Sequence, residues 1–230
     1  MRRLRYSLAI ILLAVVSGAD DVFSFVALDG VFTSVMTGNL VLFGLGVGRA
    51  DPFAVLTPAV SIGTFAVGAY VAAGWLRQTR GSRTDPWPRR VTVVLAYGQV
   101  AHVVVLAAWM VTDGEPGRVV RLVMLALLAS AMGIQSAAVN TISVPGIATT
   151  YFTGTLTWLA AEAATDRPPA TMRRRAMVLM SIVAGASLAG VLIAWAPLFL
   201  PVLPGAAMAA AILLTTRGRG RFYWSLRSGD

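Results

Sequence analysis

This chain of 230 residues has no cysteine, no lysine and a single histidine. Without cysteine the chain has neither disulfides nor thiolate chemistry, and its redox compartment cannot be inferred. One histidine and scattered acidic residues supply no cluster with metal-ligand spacing. The sequence also lacks a recognisable nucleophile–base pair. We therefore expect no metal site, no cofactor and no enzymatic activity.

Charged residues are scarce as well, at 13% of the chain against 57% hydrophobic residues, and the mean hydropathy is +0.74. A soluble domain of this length could not bury so much apolar surface, so the expected solvent and partner is the lipid bilayer. The net charge of +9 comes from arginines that lie between apolar runs. This placement is typical of membrane-protein loops and argues against a nucleic-acid partner.

The apolar runs predict an all-α polytopic membrane protein with six full-length spans, at 6–28, 53–76, 91–111, 119–140, 176–196 and 199–216. Two shorter runs, 37–48 and 153–164, are expected to form short re-entrant or broken helices. A helix of about 12 residues covers about 18 Å of a hydrocarbon core of about 30 Å. Asp51 and Pro52 supply an N-cap and a first-turn proline for the second span.

Two alternatives concern the spans. Residues 1–19 have the ingredients of a cleaved signal peptide, with arginines, an apolar run and small residues at Ser17 and Ala19. The recurrence of the same glycine-plus-polar pattern at Gly133 favours a retained first span. The short runs could also cross the membrane, which would make eight spans.

Arginine placement favours re-entrant short helices. With six spans, all arginines except Arg49, Arg118 and Arg121 fall on the side that holds both termini. The positive-inside rule then predicts cytoplasmic termini.

Two segments in different halves of the chain have similar sequences. They are Met36-Thr37-Gly38-Asn39-Leu40 and Phe152-Thr153-Gly154-Thr155-Leu156. They divide the sequence into two repeats, 1–115 and 116–230, that form one membrane domain. Each repeat has three full spans and one short helix. An odd number of spans makes the two repeats inverted, and such repeats hold transporter sites at their interface.

The predicted site consists of polar residues placed at membrane depth. A carboxylate in a spanning helix is costly and is a functional candidate by default, which selects Asp20 and Asp21. The alternative is that the first helix ends early and leaves both at the outer interface. The threonine–glycine segments are expected to break the helix and to cap the following short helix with their side chains, so that its N-terminus faces substrate. The alternative is a packing break without ligand. These segments contribute Thr37, Gly38, Asn39, Thr153, Gly154 and Thr155.

Three further polar residues complete the prediction. Gln135 aligns with Asp20 when Gly18 is set against Gly133, which places the two side chains at equivalent depths in the two repeats. Gln99 and His102 share a face of the third full span and form a candidate polar relay. A lone membrane histidine can instead serve as an interhelical hydrogen-bond partner. We expect Asp20 to line a central cavity and bind the coupling proton or cation, and the Thr37 and Thr153 segments to approach each other near the midplane.

Several sequence blocks resemble the YoaK-like family of small bacterial inner-membrane proteins, a domain of unknown function. The blocks are Gly18-Ala19-Asp20, Val31 to Asn39, Met132 to Ser136 and Thr149 to Leu156. The resemblance covers essentially the whole chain. It implies a polytopic protein of the bacterial inner membrane and supplies neither a substrate nor catalytic residues.

The residues are most consistent with a small secondary transporter or channel-like permease for an unidentified small molecule or ion. A non-transporting membrane scaffold or sensor is the alternative, and a membrane enzyme has the least support. The sequence leaves a homo-oligomer open.

Overall fold

A computed structural model describes residues 2–77, 87–142, 152–163 and 169–216. The described chain is helical and contains no strand. Its helices are α1 (Arg2–Ala27), α2 (Met36–Gly48), α3 (Pro52–Leu76), α4 (Arg89–Val111), α5 (Arg118–Thr141), α6 (Phe152–Ala163), α7 (Pro169–Trp195) and α8 (Val202–Thr216), with a 3-10 turn at Pro197–Phe199 before α8.

Among the described residues, six helical segments are long and apolar enough to cross a membrane, which agrees with the predicted number of full-length spans. They fall close to the predicted ranges, and the short helices α2 and α6 lie where short runs were expected. The start of α3 also follows the prediction. The Asp51 side chain accepts hydrogen bonds from the backbone N–H groups of Phe53 and Ala54, at 2.9 and 3.2 Å.

Two apolar clusters form the core at opposite ends of the bundle. One joins the first half of α1 to the end of α3, the start of α4 and the ends of α5 and α8, with Trp87 fully buried among them. The other joins the end of α1 to the end of α4 and the start of α5, where Phe23 packs edge-on against Trp109. Residues in the middle of α1 and α4 therefore lie between the clusters, at the mid-depth of the bundle.

Four glycines allow very close helix contacts, and these contacts come in two matching pairs. Gly18 lies against the Ile182 carbonyl and Gly185 against the Val15 carbonyl, which joins α1 to α7. In the same manner Gly133 lies against Phe65 and Gly68 against Ser130, which joins α5 to α3. A Cβ atom at any of the four would overlap the facing backbone. Small residues are thus used here for close backbone approach, as in other membrane helices.

The short helix α2 is antiparallel to the start of α3. Gly46, near the end of α2, lies against the backbone of Ala54, whereas Asn39, near its start, reaches Ser61 two turns deeper along α3. The segment 28–35 that leads into α2 folds back along the last turns of α1, since Ser34 contacts Asp21. The chain therefore folds back along α1 through an irregular segment of turns and bends, and α2 then runs back toward the start of α3.

Candidate functional site

A buried acid–imidazole pair joins α1 to α4 inside the bundle. The Asp20 side chain on α1 is fully buried, and its Oδ2 lies 2.9 Å from Nε2 of His102 on α4. The other ring nitrogen, Nδ1, lies 3.2 Å from the carbonyl oxygen of Gly98, one turn earlier in α4. The pair joins two helices that are distant in sequence. A buried pair of this kind is weak evidence for stability, because desolvation offsets much of the attraction.

A second polar group lies on the α5 side of α1. Gln135 is fully buried, and its Nε2 donates to the Leu13 carbonyl oxygen and to Ser17 Oγ, both at 3.0 Å. Ser17 precedes Asp20 by one turn on the same face of α1. This contact links Gln135 to the neighbourhood of Asp20 through one helix, whereas the equivalent depths of the two residues in two repeats stay a prediction.

Several acceptor oxygens in this region are left without a donor. Within the described chain, Asp20 Oδ1, Gln135 Oε1 and Gln99 Oε1 are buried and accept no hydrogen bond. Buried polar atoms are normally paired, so each exception requires an explanation. Gln99 lies one turn before His102, beside Gly205 of α8. The unpaired acceptors thus lie on α1, α4 and α5, of which α1 and α4 also pack against α8.

Asp21 has a different environment, although it is the next residue. Its Oδ1 accepts from the backbone N–H groups of Thr33 and Ser34, at 2.9 and 2.8 Å, and from the Thr33 hydroxyl at 3.1 Å. Its Oδ2 accepts from the Ser34 hydroxyl at 2.5 Å. Helix α1 continues to Ala27 and both aspartates are buried, so the alternative that the helix ends early and leaves them at the outer interface is wrong.

Asn39 ties the same segment to α3. Its side chain accepts from the Phe32 N–H at 2.9 Å and donates to the Phe32 carbonyl at 2.7 Å and to Ser61 Oγ at 3.0 Å. The expectation that Thr37 and Asn39 cap α2 is wrong: the N-cap is Val35, without a side-chain hydrogen bond. The amide reaches backwards because the folded segment 28–35 brings the Phe32 backbone within its range.

The remaining candidates are more dispersed. Thr37 is exposed on α2, and Gly38 is half-buried against the Phe32 ring. Gly154 is half-buried on α6, and the side chains of Thr153 and Thr155 lie outside the described residues. Helix α2 packs on α3, and α6 packs on α7. The approach of the two threonine–glycine segments to each other stays a prediction.

Four polar partners, Ser17, Thr33, Ser34 and Ser61, were not singled out from the sequence. Ser17 could have been found from its position one turn before Asp20. Thr33 and Ser34 fall inside a recognised block, but their role depends on the chain folding back, which spacing alone does not reveal.

Surface cavities lie elsewhere. Two adjoining ones, of about 600 and 560 Å³, share Gly74, Trp75 and Val94 between α3 and α4. Neither these two nor the cavities of about 540 and 350 Å³ have Asp20 in their lining. Asp20 and His102 are themselves buried, so the pair is enclosed in the conformation described.

A family model described as "Protein of unknown function (DUF1275)" matches residues 9–215. The chain belongs to this family. It is also 30% identical over 145 residues to the UPF0700 transmembrane protein YoaK of Bacillus subtilis (strain 168). That match covers 63% of this chain and 61% of the relative, so it spans less than two thirds of the relative's length. No solved structure matches the chain significantly.

Membership confirms the resemblance drawn from the sequence blocks. Like the Bacillus relative, whose name describes a transmembrane protein, this DUF1275 member is a multi-pass membrane protein whose helices contact the bilayer. The family description assigns no activity. Any function has to be argued from the buried polar residues themselves.

Proposed function

We propose that this DUF1275 protein is a small secondary transporter whose coupling site is centred on Asp20. The observation that carries the proposal is the position of this carboxylate in a candidate membrane span, fully buried with one oxygen on His102 and the other unpaired. Ionisable groups inside membrane spans are expensive and mark ion pathways and proton relays. The proposal includes no catalytic step.

The proposed transporter is built from two inverted repeats. The matching glycine contacts of α1 with α7 and of α5 with α3 support this arrangement, since each repeat contributes one helix to each pair. The contacts of α1 with α8 and of α4 with α5 form a second such pair. Asp20 and Gln135 then occupy corresponding positions near the repeat interface, where inverted-repeat transporters bind substrate.

In the proposed topology both termini are cytoplasmic, in a bacterial inner membrane. The start of α1 and the end of α8 belong to the same apolar cluster, at the end of the bundle where α4 begins with Arg89 and Arg90. Arg118 and Arg121 begin α5 at the other end. Cysteines placed at Ser82 and Thr112 test this proposal, since the chain has none of its own. Labelling of position 82 from the periplasm would overturn it.

A membrane scaffold or sensor is the second candidate. The observation that favours it is the enclosure of Asp20, which lines none of the four cavities. A scaffold would keep this core closed permanently, whereas a transporter must open it to each side in turn.

The deciding experiment is a thermal-shift screen of metabolites and ions on the purified protein, followed by flux of the hits into liposomes. We expect at least one solute to stabilise the wild type and to cross the liposome membrane. Asp20→Asn should lose coupling while it still inserts, and Asp21→Asn serves as the matched control. Absence of flux for every stabilising solute would favour the scaffold.

A further inference from the structure

The number of hydrogens that His102 and Asp20 share determines the net charge of this pair. Its Nδ1 faces the Gly98 carbonyl oxygen at 3.2 Å, and its Nε2 faces Asp20 Oδ2 at 2.9 Å. A carbonyl oxygen only accepts, so Nδ1 must carry a hydrogen to bond to it. A second hydrogen must lie between Nε2 and Oδ2, on one atom or the other. Together His102 and Asp20 then hold two hydrogens and no net charge.

From this hydrogen count we propose that the pair is the proton-loaded form of an exchange site, in which a proton alternates with a monovalent cation that carries N–H donors. The proposal rests on the transporter function above and names the two ions that the site exchanges. Loss of one proton to water leaves the hydrogen of His102 on Nε2, facing an ionised Asp20, and leaves Nδ1 bare. The site then has a charge of minus one, and an entering monovalent cation returns it to zero.

The unpaired atoms indicate the chemistry of that cation. Asp20 Oδ1 and Gln135 Oε1 are both acceptors, and both belong to fully buried side chains. The orientation of the Gln135 amide is fixed, because a flip would set its oxygen against the Leu13 carbonyl. An ammonium or guanidinium group supplies donors for such oxygens, and an anion would be repelled by the ionised carboxylate.

Few other ionisable groups can influence Asp20. On α1 itself, the Asp21 carboxylate is already bound by Thr33 and Ser34, and the arginines and Tyr6 lie in the first turns, at the opposite end of the helix from Asp20. Helix α8 has no ionisable residue, and α5 has only Arg118 and Arg121 in its first turn. The remaining groups on packed helices lie toward the helix starts or on the exposed face: Arg173, Arg174 and Arg175 on α7, and Arg89, Arg90 and Tyr97 on α4. His102 is therefore the ionisable side chain that shares the proton.

The single histidine makes a direct test available. Full-length protein labelled with ¹⁵N-histidine in nanodiscs gives signals from His102 alone. We expect Nδ1 to carry a hydrogen at about pH 5 and to lose it in one step as the pH rises to about 10, while Nε2 keeps its own. A bare Nδ1 at the lowest pH would overturn the proton-loaded assignment. Retention of its hydrogen throughout would overturn the exchange.

Two variants make the titration specific. In Asp20→Asn the amide can donate to Nε2, so Nδ1 should keep its hydrogen at every pH. Asp21→Asn, the matched control, should retain the wild-type step. If Asp20→Asn fails to fold, the wild-type titration still decides the assignment.

The cation is tested on the same signal with chloride salts of guanidinium, methylammonium, tetramethylammonium and potassium. A cation that binds only the deprotonated pair lowers the midpoint by about one pH unit for each tenfold rise above its Kd. We expect this shift with guanidinium or methylammonium and none with tetramethylammonium, which has no N–H donor. No shift with either donor cation would overturn the exchange. Failure of the transporter proposal would show separately, as absence of solute flux.

Discussion

Asp20 and Asp21 are consecutive acids on one helix, but their hydrogen-bonding environments are opposite. Asp21 accepts four hydrogen bonds from Thr33 and Ser34, so both of its oxygens are satisfied. Asp20 has one partner, His102, and one buried oxygen without a donor. A carboxylate whose two oxygens both accept hydrogen bonds stabilises the fold. A carboxylate with one unpaired oxygen is free to change its partner. The difference assigns Asp21 to the architecture and Asp20 to the proposed function.

The largest effect is expected when the saturated carboxylate is removed. Asp21→Ala leaves the backbone N–H groups of Thr33 and Ser34 and two hydroxyls without their acceptor. Each buried donor left unsatisfied costs about 1–3 kcal/mol, and the hydroxyls can turn elsewhere, so we expect a loss of about 3–5 kcal/mol. Denaturant titration in micelles measures it. A loss of stability below about 1 kcal/mol would show that Asp21 does not have this structural role.

The two halves of the bundle can be compared through their glycines. Gly18→Ala and Gly133→Ala each place a methyl group against a facing backbone, on Ile182 and Phe65 respectively. Overpacking of this kind costs about 1–3 kcal/mol, and we expect similar losses in the two halves because the contacts match. Gly190→Ala is the control, since a Cβ there meets open space. A large effect in one half alone would weaken the case for two repeats of the same geometry.

Within the first threonine–glycine segment, Asn39 and Thr37 should behave differently. Asn39→Ala removes the hydrogen bonds to Phe32 and Ser61, and we expect a loss of about 2 kcal/mol because the partly buried Phe32 N–H loses its acceptor, while the Phe32 carbonyl keeps only its bond from the Ser61 hydroxyl. Thr37→Ala, at an exposed site, should change stability by less than about 0.5 kcal/mol. Thermal melting of the two variants in parallel decides this, and equal melting temperatures would contradict it.

Much of the architecture could be predicted because its causes are local. Hydropathy and length define the six spans, and Asp51 with Pro52 defines the start of α3. The partner of Asp20 could not be derived, because His102 lies 82 residues away and the pairing depends on how α4 packs. The role of Asn39 was missed for a related reason. Its partner Phe32 is only seven residues away, but the contact exists only once the segment before α2 folds back.

Among the buried polar residues, the smallest effect on stability is expected at Asp20. Breaking a buried ion pair by removing one partner usually costs about 3–5 kcal/mol, because a charge is left uncompensated. In Asp20→Asn no charge is stranded: His102 becomes neutral, Nδ1 keeps its hydrogen on the Gly98 carbonyl, and the new amide donates to Nε2. This arrangement has the hydrogens of the neutral, proton-loaded pair. We therefore expect a change in the free energy of unfolding within about 1 kcal/mol, smaller than that of Asp21→Asn, which gives up a carboxylate held by four donors.

Denaturant titration of the two variants side by side measures the difference. If Asp20→Asn proves the more damaging of the two, Asp20 is a structural anchor, and the assignment of the neighbouring acids has to be reversed.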